Sequence, residues 1–501
     1  MKPIMHLFRI ICITGTLLRH NSLFVLLDLK LCPRILKLPV KIFSLVPSKY
    51  SKGERIRSVL ENLGPFFIKF GQTIATRGDL IGQEIAEDLS GLQDGMDPAL
   101  TKKEAVELLE REFGLDVNAL FKKFSDYPIA AASVAEVFKA ETLSGEKVAV
   151  KFLKPGIKEE FKKDIDLFLW VAKILDKRFK RFKRLRLIEV VRSFESSMES
   201  EMDLTLEASA ASELHDNHTD DLGVKIPKVF WDTTSHSIIT IKWIEGVPVN
   251  KVEVLKKKKI NMGKVIKNLT YLFLNEAYRD GFFHADLHPG NVLVKDNGDI
   301  ALIDFGIMGR LDKKTKLYLA AILKGFLTRD YNYVAKVHFR AGYVDSSYSE
   351  GEFAQACRAI GEPIVGVASG KISIGKLLSS LFKVTRDFNM PVQPQLILVQ
   401  KTTVVLEGLV SKLDQNANVW EVAEPWVEKW SQQNTGFDAR VMDSLEEIMD
   451  FVKSDLMQFI KNQNKEKQDN KHKKSHYSDF MKIAFGTALL YGAIFLIQQI
   501  L

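Results

Sequence analysis

Three polar side chains in the second half of the chain have the types and spacing that phosphate chemistry requires. Asp286 could accept or orient the proton of a hydroxyl group, and Asn291 and Asp304 carry the hard oxygen atoms that Mg²⁺ prefers. Asn291 follows Asp286 by five positions, and Asp304 follows Asn291 by thirteen. The sequence therefore predicts a catalytic Asp286 beside a magnesium site formed by Asn291 and Asp304.

The segment that carries these residues matches two sequence elements of protein kinases. His284 to Asn291 has the spacing of the H-R-D-x-x-x-x-N loop, and Asp304 begins a D-F-G sequence. Ala285 occupies the usual position of Arg in that loop, so we do not expect control through a phosphorylated activation loop. The alternative interpretation is a polar loop followed by an ordinary Asp-Phe-Gly turn.

A hairpin is predicted between these two elements. The runs 291–294 and 299–304 read as strands, and Asp296-Asn297-Gly298 is a typical turn sequence. A catalytic loop, a hairpin and a metal-binding Asp would then face one cleft.

An earlier strand supplies a candidate cation for the same cleft. In Lys147–Phe152 the alternation places three apolar residues on one face, and Ala149 and Lys151 on the other. A nucleotide could lie over Ala149 while Lys151 reaches its phosphates, although a lone lysine of this kind more often faces solvent. In a helix-like stretch downstream, Glu207 is the predicted partner of Lys151.

Composition restricts the class of protein. The 501 residues suffice for two or three domains or for one large fold with extensions. The net charge of +8 by itself suits nucleic acid, an anionic membrane surface or anionic ligands. Only three cysteines occur, far apart in sequence, which argues against a disulfide scaffold and against a zinc site. The basic residues show no arrangement typical of a base-reading module, so no nucleic-acid partner is expected.

The two ends of the chain suggest contact with a membrane. Residues 1–50 are apolar and basic, and either lie in a membrane interface or pack onto the main domain. Residues 479–501 predict a transmembrane anchor, and the lysines before it place the preceding linker on the cytoplasmic side. The basic stretch 177–186 is either a solvated helix face or a patch for anionic lipid headgroups.

A helix after Gly64 holds two further polar residues. Lys69 and Gln72 are three positions apart and share one helical face among several phenylalanines. From this pattern alone, Lys69 is interpreted as a surface lysine at the edge of the apolar stripe.

Taken together, these motifs resemble the UbiB family of atypical, protein-kinase-like membrane proteins linked to ubiquinone biosynthesis. The resemblance covers about residues 64–430 and the C-terminal anchor. Its carriers are the family's sequence elements, which are Lys69-Phe-Gly-Gln72 (KxGQ), Ala130-Ala-Ala-Ser133, Val148-Ala-Val-Lys151, Glu201-Met-Asp203 (ExD), His284 to Asn291 and Asp304-Phe-Gly306.

The resemblance implies a fold and a domain order. The implied fold is an α+β, protein-kinase-like bilobal fold with an added N-terminal helical KxGQ segment and a C-terminal transmembrane helix. The expected divisions are 1–50, a 51–128 KxGQ extension, a 129–245 N-lobe, a 246–435 C-lobe, a 436–478 helix and linker, and a 479–501 anchor.

The resemblance also implies site residues and ligands. ATP and Mg²⁺ are the implied ligands, with Lys151, Asp286 and Glu207 as catalytic residues. Lys69 and Gln72 are expected to fold over the cleft and meet Glu201 and Asp203, which revises the surface assignment of Lys69. The nucleotide-binding loop is implied to be alanine-rich and to consist of Ile129, Ala130, Ala131, Ala132, Ser133, Val134, Ala135, Glu136 and Val137.

Three residues of this loop, Val134, Ala135 and Glu136, depart from the family pattern, so that a glycine is lost and a carboxylate is gained. Where relatives commonly have Ile-Gly-Gln-Val, this chain has Val134-Ala-Glu-Val137. The carboxylate of Glu136 could weaken ATP binding, or it could point away from the nucleotide.

Three functions are compatible with these expectations. The first is an ATP-hydrolysing, kinase-like enzyme that supports ubiquinone synthesis at the bacterial inner membrane, with membrane lipid, prenylated quinone precursors and ubiquinone-pathway enzymes as partners. The second is a true kinase of a protein or small molecule. The third is a non-catalytic, nucleotide-binding scaffold. Direct ring hydroxylation is disfavoured, because no flavin, haem or iron motif occurs.

Overall fold

The structure, a computed structural model, describes residues 2–25, 49–75, 82–90, 92, 100–178, 186–365, 380–381, 384, 387–390 and 393–434. The contacts between residues divide the chain into a unit of residues 1–426 and a unit of residues 427–501. In the second unit the structure describes residues 427–434, which form the end of a helix.

Six helices are described before the first strand. They are α1 (Lys2–Arg19), α2 (Lys52–Leu63), α3 (Pro65–Ala75), α4 (Gln83–Ser90), α5 (Lys102–Phe113) and α6 (Val117–Leu120). Helix α5 begins with the capping box of Thr101 and Glu104 and ends at Gly114, which adopts the left-handed conformation (φ +68°) that favours glycine.

A five-stranded antiparallel sheet forms the centre of the smaller lobe. Its strands are β1 (Phe121–Phe124), β2 (Ala130–Ala131), β3 (Ala135–Thr142), β4 (Lys147–Leu153) and β6 (Ile238–Lys242), in the order β1-β3-β4-β6 with β2 paired to β3. Strand β1 lies within the expected extension 51–128, yet it pairs with β3 and so belongs to this sheet.

The two faces of this sheet have different surroundings. Val148, Val150 and Phe152 of β4 are fully buried against β3 and helix α5, as the alternation predicted. Lys151 lies opposite Val137 and Ile239 in the register, so these three residues share the other face. Strand β4 therefore directs Lys151 away from the hydrophobic core.

Three helices connect the strands of the smaller lobe. They are α7 (Ile157–Arg178), α8 (Leu187–Glu201) and α9 (Leu204–Asn217). Helix α3 packs onto this group through phenylalanines, and the ring of Phe66 lies 5.1 Å from that of Phe168 on α7 and 5.5 Å from that of Phe194 on α8. The KxGQ helix is therefore fixed to the smaller lobe by aromatic contacts.

Helix α1 also packs onto α7, but through one face only. The guanidinium of Arg9 forms an ion pair with Asp164 at 2.8 Å, and the rings of His6 and Trp170 lie 5.5 Å apart. The opposite face exposes four apolar side chains with helical spacing, namely Ile4, Leu7, Phe8 and Ile11. Packing onto the main unit was one of the two interpretations of this segment.

The larger lobe contains the predicted catalytic loop and hairpin. It starts with α10 (Val252–Lys257), α11 (Met262–Leu274) and a π-helical segment, Asn275–Asp280. Strands β9 (Val292–Val294) and β10 (Ile300–Leu302) form the predicted hairpin, and Gly298 takes a positive φ of +81° in its turn. The remaining strands of this lobe are β5 (Val224–Lys225), β7 (Val247–Pro248), β8 (Phe282–His284) and β11 (Met308–Arg310).

The strands of the larger lobe form two small sheets. One has the order β5-β10-β9-β7, and the other pairs β8 with β11, so that His284 lies opposite Met308. The helices described after these strands are α12 (Lys313–Leu327), α13 (Tyr331–Arg340), α14 (Glu350–Val365), α15 (Pro394–Leu413) and α16 (Val419–Asn434).

The predicted fold class requires one correction. Searching the described part of the chain reveals no helix that combines the length and the apolar character needed to cross a bilayer. The fold that the structure supports is the kinase-like α+β fold. The predicted anchor 479–501, the linker before it and most of the basic stretch 177–186 lie outside the described residues.

Candidate active site

Lys151 joins the two lobes at the centre of the cleft. Its Nζ donates hydrogen bonds to both carboxylate oxygens of Glu207, at 2.8 and 2.9 Å, and to Oδ2 of Asp304 at 3.1 Å. The predicted pairing of Lys151 with Glu207 is therefore confirmed. Strand β4, helix α9 and the D-F-G segment meet at this one ammonium group.

The charges of this cluster stabilise one another. Burial by itself lowers the pKa of the Lys151 ammonium, but the carboxylates of Asp304 and Glu207 outweigh burial and raise that pKa above its usual range. Burial likewise raises the pKa of Asp304, but Lys151 and the backbone N–H of Gly306 hold it well below its usual range. Both groups are therefore charged at neutral pH, as contact with a phosphate and a divalent cation requires.

His284 connects the catalytic loop to the D-F-G segment. The backbone N–H of Asp286 donates to Nδ1 of the buried His284 ring at 3.0 Å, so Nδ1 is an acceptor. The proton is therefore on Nε2, which donates to the carbonyl oxygen of Asp304 at 2.6 Å. One neutral imidazole thus fixes the backbone at Asp286 and Asp304 together. The sequence analysis gave His284 no such function.

The hairpin places the two predicted metal ligands at one end. Nδ2 of Asn291 donates to the backbone carbonyl of Asp286 at 3.1 Å, and the backbone of Ile303 donates to that of Asn291 at 3.2 Å. The hydrogen bond to Asp286 occupies the amide nitrogen of Asn291, so the amide oxygen is the atom suited to a cation. An amide oxygen and an ionised carboxylate fit Mg²⁺, which takes few protein ligands and completes its shell with phosphate oxygens and water.

The described residues contain no larger metal-binding cluster. Nowhere among them do three or more His, Cys, Asp or Glu side chains converge on a point where they could hold an ion. The candidate magnesium site therefore rests on Asn291 and Asp304 and on the chemistry of their oxygen atoms.

The alanine-rich loop is a tight hairpin. The backbone of Ala132 donates to the carbonyl of Ala135 at 2.8 Å, and the backbone of Lys154 donates to that of Val134 at 2.9 Å. No residue from Ile129 to Val137 has a positive φ. The loop therefore lacks the left-handed backbone conformations that glycine allows in phosphate-binding loops.

Glu136 points away from the nucleotide side of the sheet. It lies opposite Phe152 in the register, whereas Val137 lies opposite Lys151, so Glu136 is on the core face. Its fully buried carboxylate accepts a hydrogen bond from the backbone N–H of Leu100 at 3.0 Å and lies 3.7 Å from the ammonium of Lys154. Of the two orientations considered for Glu136, the structure has the one that leaves the phosphates clear.

Lys69 forms an ion pair between the KxGQ helix and the ExD element. Its ammonium contacts the carboxylate of Glu201 at the end of α8, and only 11% of the Lys69 side chain is exposed. The interpretation of Lys69 as a surface lysine is therefore wrong, and the pairing implied by the family resemblance is present. Gln72 donates to the backbone carbonyl of Leu92 at 3.3 Å.

Asp203 has a different function from Glu201. It is the N-cap of helix α9 and accepts from the backbone N–H of Thr205 at 3.0 Å, and His236 lies 2.9 Å away. Because α9 carries Glu207, this cap fixes the start of the helix that orients Lys151. A cavity of about 250 Å³ lies beside these elements and is lined by residues of the ExD element, of helix α9 and of the D-F-G segment, including Glu201, Glu207, Phe305 and Gly306.

A cation that the sequence analysis did not identify contacts Asp286. Nζ of Lys401 on helix α15 lies 3.0 Å from Oδ1 of Asp286, across 115 positions of sequence. No local spacing or motif connects these two residues, so pattern reasoning had no signal for the contact.

Two family models match the chain. Residues 91–338 match the ABC1 atypical kinase-like domain, and residues 357–418 match the UbiB helical domain. All of the cleft residues described above lie within these ranges, except Lys69 and Gln72 of the KxGQ helix.

Two relatives of this chain carry the same name. The chain is 40% identical over 410 residues to a "Probable protein kinase UbiB" of Marinobacter nauticus, covering 79% of this chain and 75% of that protein. It is 33% identical to the protein of that name from Azotobacter vinelandii, covering 98% and 93%.

One solved structure is also similar, titled as the complex of Rv3197 with erythromycin from Mycobacterium tuberculosis. It has 21% identity and a TM-score of 0.48, and covers 73% of this chain and 93% of that one. On the two domain matches and the length and identity of the relatives, the chain belongs to the UbiB family of ABC1 atypical kinase-like proteins.

Proposed function

We propose that this chain binds ATP with Mg²⁺ in the cleft between its lobes and cleaves the γ-phosphoryl group, as an atypical kinase-like ATPase. The observation that carries the proposal is the position of Lys151, bonded at once to Glu207 and to Asp304. This arrangement brings together a lysine, the glutamate that orients it and the aspartate proposed to bind Mg²⁺. Phosphoryl-transfer enzymes of the kinase type require these three groups together.

Each cleft residue has a distinct task in this proposal. Lys151 exchanges part of its contact with Asp304 for the α- and β-phosphates, while Glu207 keeps the ammonium oriented. Asn291 and Asp304 hold Mg²⁺, which neutralises phosphate charge when bound. Asp286 orients the attacking hydroxyl or water and accepts its proton.

Water or a small molecule is the favoured acceptor of the phosphoryl group. The Lys69–Glu201 ion pair ties the KxGQ helix to the ExD element, where a protein substrate of an ordinary kinase would dock. A bulky protein substrate would have to displace this partly buried pair. A stoichiometric phosphorylated product, detected by mass spectrometry, would favour a true kinase instead.

Family membership connects the activity with ubiquinone biosynthesis, and we propose that ATP turnover acts on prenylated, membrane-embedded precursors or on the enzymes that process them. The exposed apolar row of α1 supports contact with a bilayer surface, because Phe8 is 69% and Ile4 74% exposed on a helix fixed to the main unit. On α7, the exposed Lys173 and Lys177 follow Trp170, whose ring contacts His6 on α1, and they suit anionic headgroups.

The decisive experiment measures ATP hydrolysis by the purified protein, with and without Mg²⁺, anionic liposomes and a phenolic quinone precursor. We expect Mg²⁺-dependent turnover that the liposomes and the precursor increase. Asp304→Asn should abolish Mg²⁺-dependent nucleotide binding, whereas Asp296→Asn in the exposed hairpin turn should not. Unchanged nucleotide affinity in Asp304→Asn would refute the metal assignment.

If Asp286→Asn left quinone levels in cells at wild-type values, a non-catalytic scaffold would be the better description. If the purified wild-type protein neither binds nor hydrolyses Mg-ATP under any of these conditions, the proposed activity is wrong.

A further inference from the structure

The region that matches the UbiB helical domain, residues 357–418, contributes a charged group to the catalytic loop. Nζ of Lys401 lies 3.0 Å from Oδ1 of Asp286, and 37% and 32% of these two side chains are exposed. Lys401 lies within the UbiB helical match 357–418, whereas Asp286 lies within the kinase-like match 91–338. The contact therefore joins two regions that the family models treat as separate.

The backbone that carries Lys401 is firmly anchored. Helix α15 starts with Pro394 at its first position and buries Val399, Leu406 and Val410 on one face. The hydroxyl group of Thr402 donates to the carbonyl of Leu398 at 2.9 Å, so its buried polar atom is satisfied inside the helix. Lys401 projects from a rigid helix that packs against α11 and β11.

The catalytic loop has no permanent cation of its own. Between Asp286 and Asn291 the sequence is Leu-His-Pro-Gly, without lysine or arginine. Lys151 is bonded to Glu207 and Asp304, a position that suits the α- and β-phosphates. Cleavage of a γ-phosphate builds negative charge on its oxygen atoms, and a preorganised cation next to that charge lowers the barrier.

We propose that Lys401 is a further catalytic residue, whose ammonium group contacts the γ-phosphate of ATP both in the bound nucleotide and in the transition state. This inference rests on the proposed ATP cleavage. A water oxygen attacks the γ-phosphorus and passes a proton to Asp286, while the bond from phosphorus to the bridging oxygen breaks and its electron pair stays on ADP. Lys401 keeps its proton throughout. Its ammonium group, which contacts Asp286 at the start, comes to contact both Asp286 and the transferred phosphoryl group.

The test compares Lys401→Met and Lys401→Arg with Lys412→Met, which removes an exposed lysine from the last turn of the same helix. We expect Lys401→Met to lower kcat by about 10²- to 10³-fold, Lys401→Arg to restore part of the loss, and Lys412→Met to match the wild type. The affinity for MgADP, which lacks the γ-phosphate, should stay at the wild-type value in all three.

A second measurement separates this inference from the proposed function, because it needs no turnover. Lys401→Met should weaken binding of a non-hydrolysable MgATP analogue by about tenfold while leaving MgADP binding unchanged. Equal losses for both nucleotides, unchanged affinity for both, or a kcat that stays constant or rises would overturn the role of Lys401. A wild-type protein that binds the analogue but hydrolyses no ATP would refute the ATPase proposal and leave this binding comparison to decide on Lys401.

Discussion

At the level of single residues, the orientation of Glu136 decides whether the unusual nucleotide loop can work. Its carboxylate lies on the core face of β3 and bonds to the backbone of Leu100, so it adds no negative charge beside the phosphates. The departure from the family pattern is therefore a feature of the core and not of the nucleotide site.

Replacing Glu136 tests this assignment. Glu136→Ala should lower the free energy of unfolding by about 3 kcal/mol, because it leaves the Leu100 N–H and the Lys154 ammonium without their buried partner. Glu136→Gln keeps an acceptor for Leu100 and should cost less. Denaturant unfolding and Mg-ATP titration check the two properties separately, and a large change in ATP affinity with unchanged stability would contradict the assignment.

The sequence contained enough information to orient this residue. A strand alternates its faces with period two, so Glu136 had to share a face with Phe138, which is apolar and fully buried. Lys401 is the opposite case, because its approach to Asp286 depends on how α15 packs and no strand or helix period reports that.

At the level of elements, the KxGQ helix is held to the smaller lobe by aromatic packing and by one partly buried ion pair. The rings of Phe66 and Phe70 contact Phe168 on α7, and Lys69 contacts Glu201 on α8. The apolar contacts bury hydrophobic surface of the helix, whereas the ion pair fixes the helix to the ExD element at the cleft.

A double-mutant cycle can measure this ion pair. Lys69→Ala and Glu201→Ala should each destabilise the protein by about 3 kcal/mol, with a coupling energy of about 1–3 kcal/mol between them. The exposed pair Arg57 and Glu61 on α2 is the matched control and should couple by about 0.3–0.5 kcal/mol. Equal coupling in the two pairs would show that the Lys69 contact is an ordinary surface salt bridge.

Local sequence patterns predicted the helices and strands better than they predicted which elements contact each other. The hairpin at 291–304 and strand β4 followed from short-range signals, because turn residues and alternation act within a few positions. The surface assignment of Lys69 failed because its partner Glu201 lies on another helix and only the fold brings the two together.

At the level of the whole molecule, one buried histidine links stability to pH. His338 on α13 is 1% exposed, and burial lowers the pKa of its imidazole to about 4. Its Nδ1 donates to the carbonyl of Val334 at 2.8 Å, and the ring makes tilted and edge-to-face contacts with Phe353 and Tyr343. In the folded protein the imidazole of His338 is therefore neutral at neutral pH.

The sign of the pH effect follows from this lowered pKa. The stabilisation is complete above the unfolded pKa of about 6.5 and is lost as the pH falls toward 4, by about 3 kcal/mol in total. His338→Gln should remove this part of the pH dependence of the unfolding free energy. Identical slopes for wild type and variant between pH 6.5 and 4 would contradict the assignment.

A second buried histidine acts in a different pH range. Burial lowers the pKa of His218, but Glu276 and Asp221 outweigh burial and raise it. The stabilisation from His218 is therefore complete below pH ~6.5 and declines as the pH rises through its folded pKa. The contribution of His218 therefore changes above the pH range of 6.5 to 4 in which the contribution of His338 is measured.

The apolar face of α1 makes a prediction for the intact protein at a bilayer. Phe8→Asp should weaken association with anionic vesicles about tenfold or more, because one large apolar side chain no longer enters the interface. Leu222→Asp is the matched control, since Leu222 is 95% exposed elsewhere on the surface. Vesicle co-sedimentation measures both, and equal effects would show that α1 has no special position toward lipid.

The contact between Lys401 and Asp286 has a consequence for how such proteins can be recombined. A chimera that kept residues 91–338 and received its helical part from a relative with an uncharged residue at the place of Lys401 would retain every kinase motif. Its catalytic carboxylate would nevertheless face one positive charge fewer. The two modules thus form a single chemical unit, and the length of chain that must be transplanted intact reaches at least to the middle of α15.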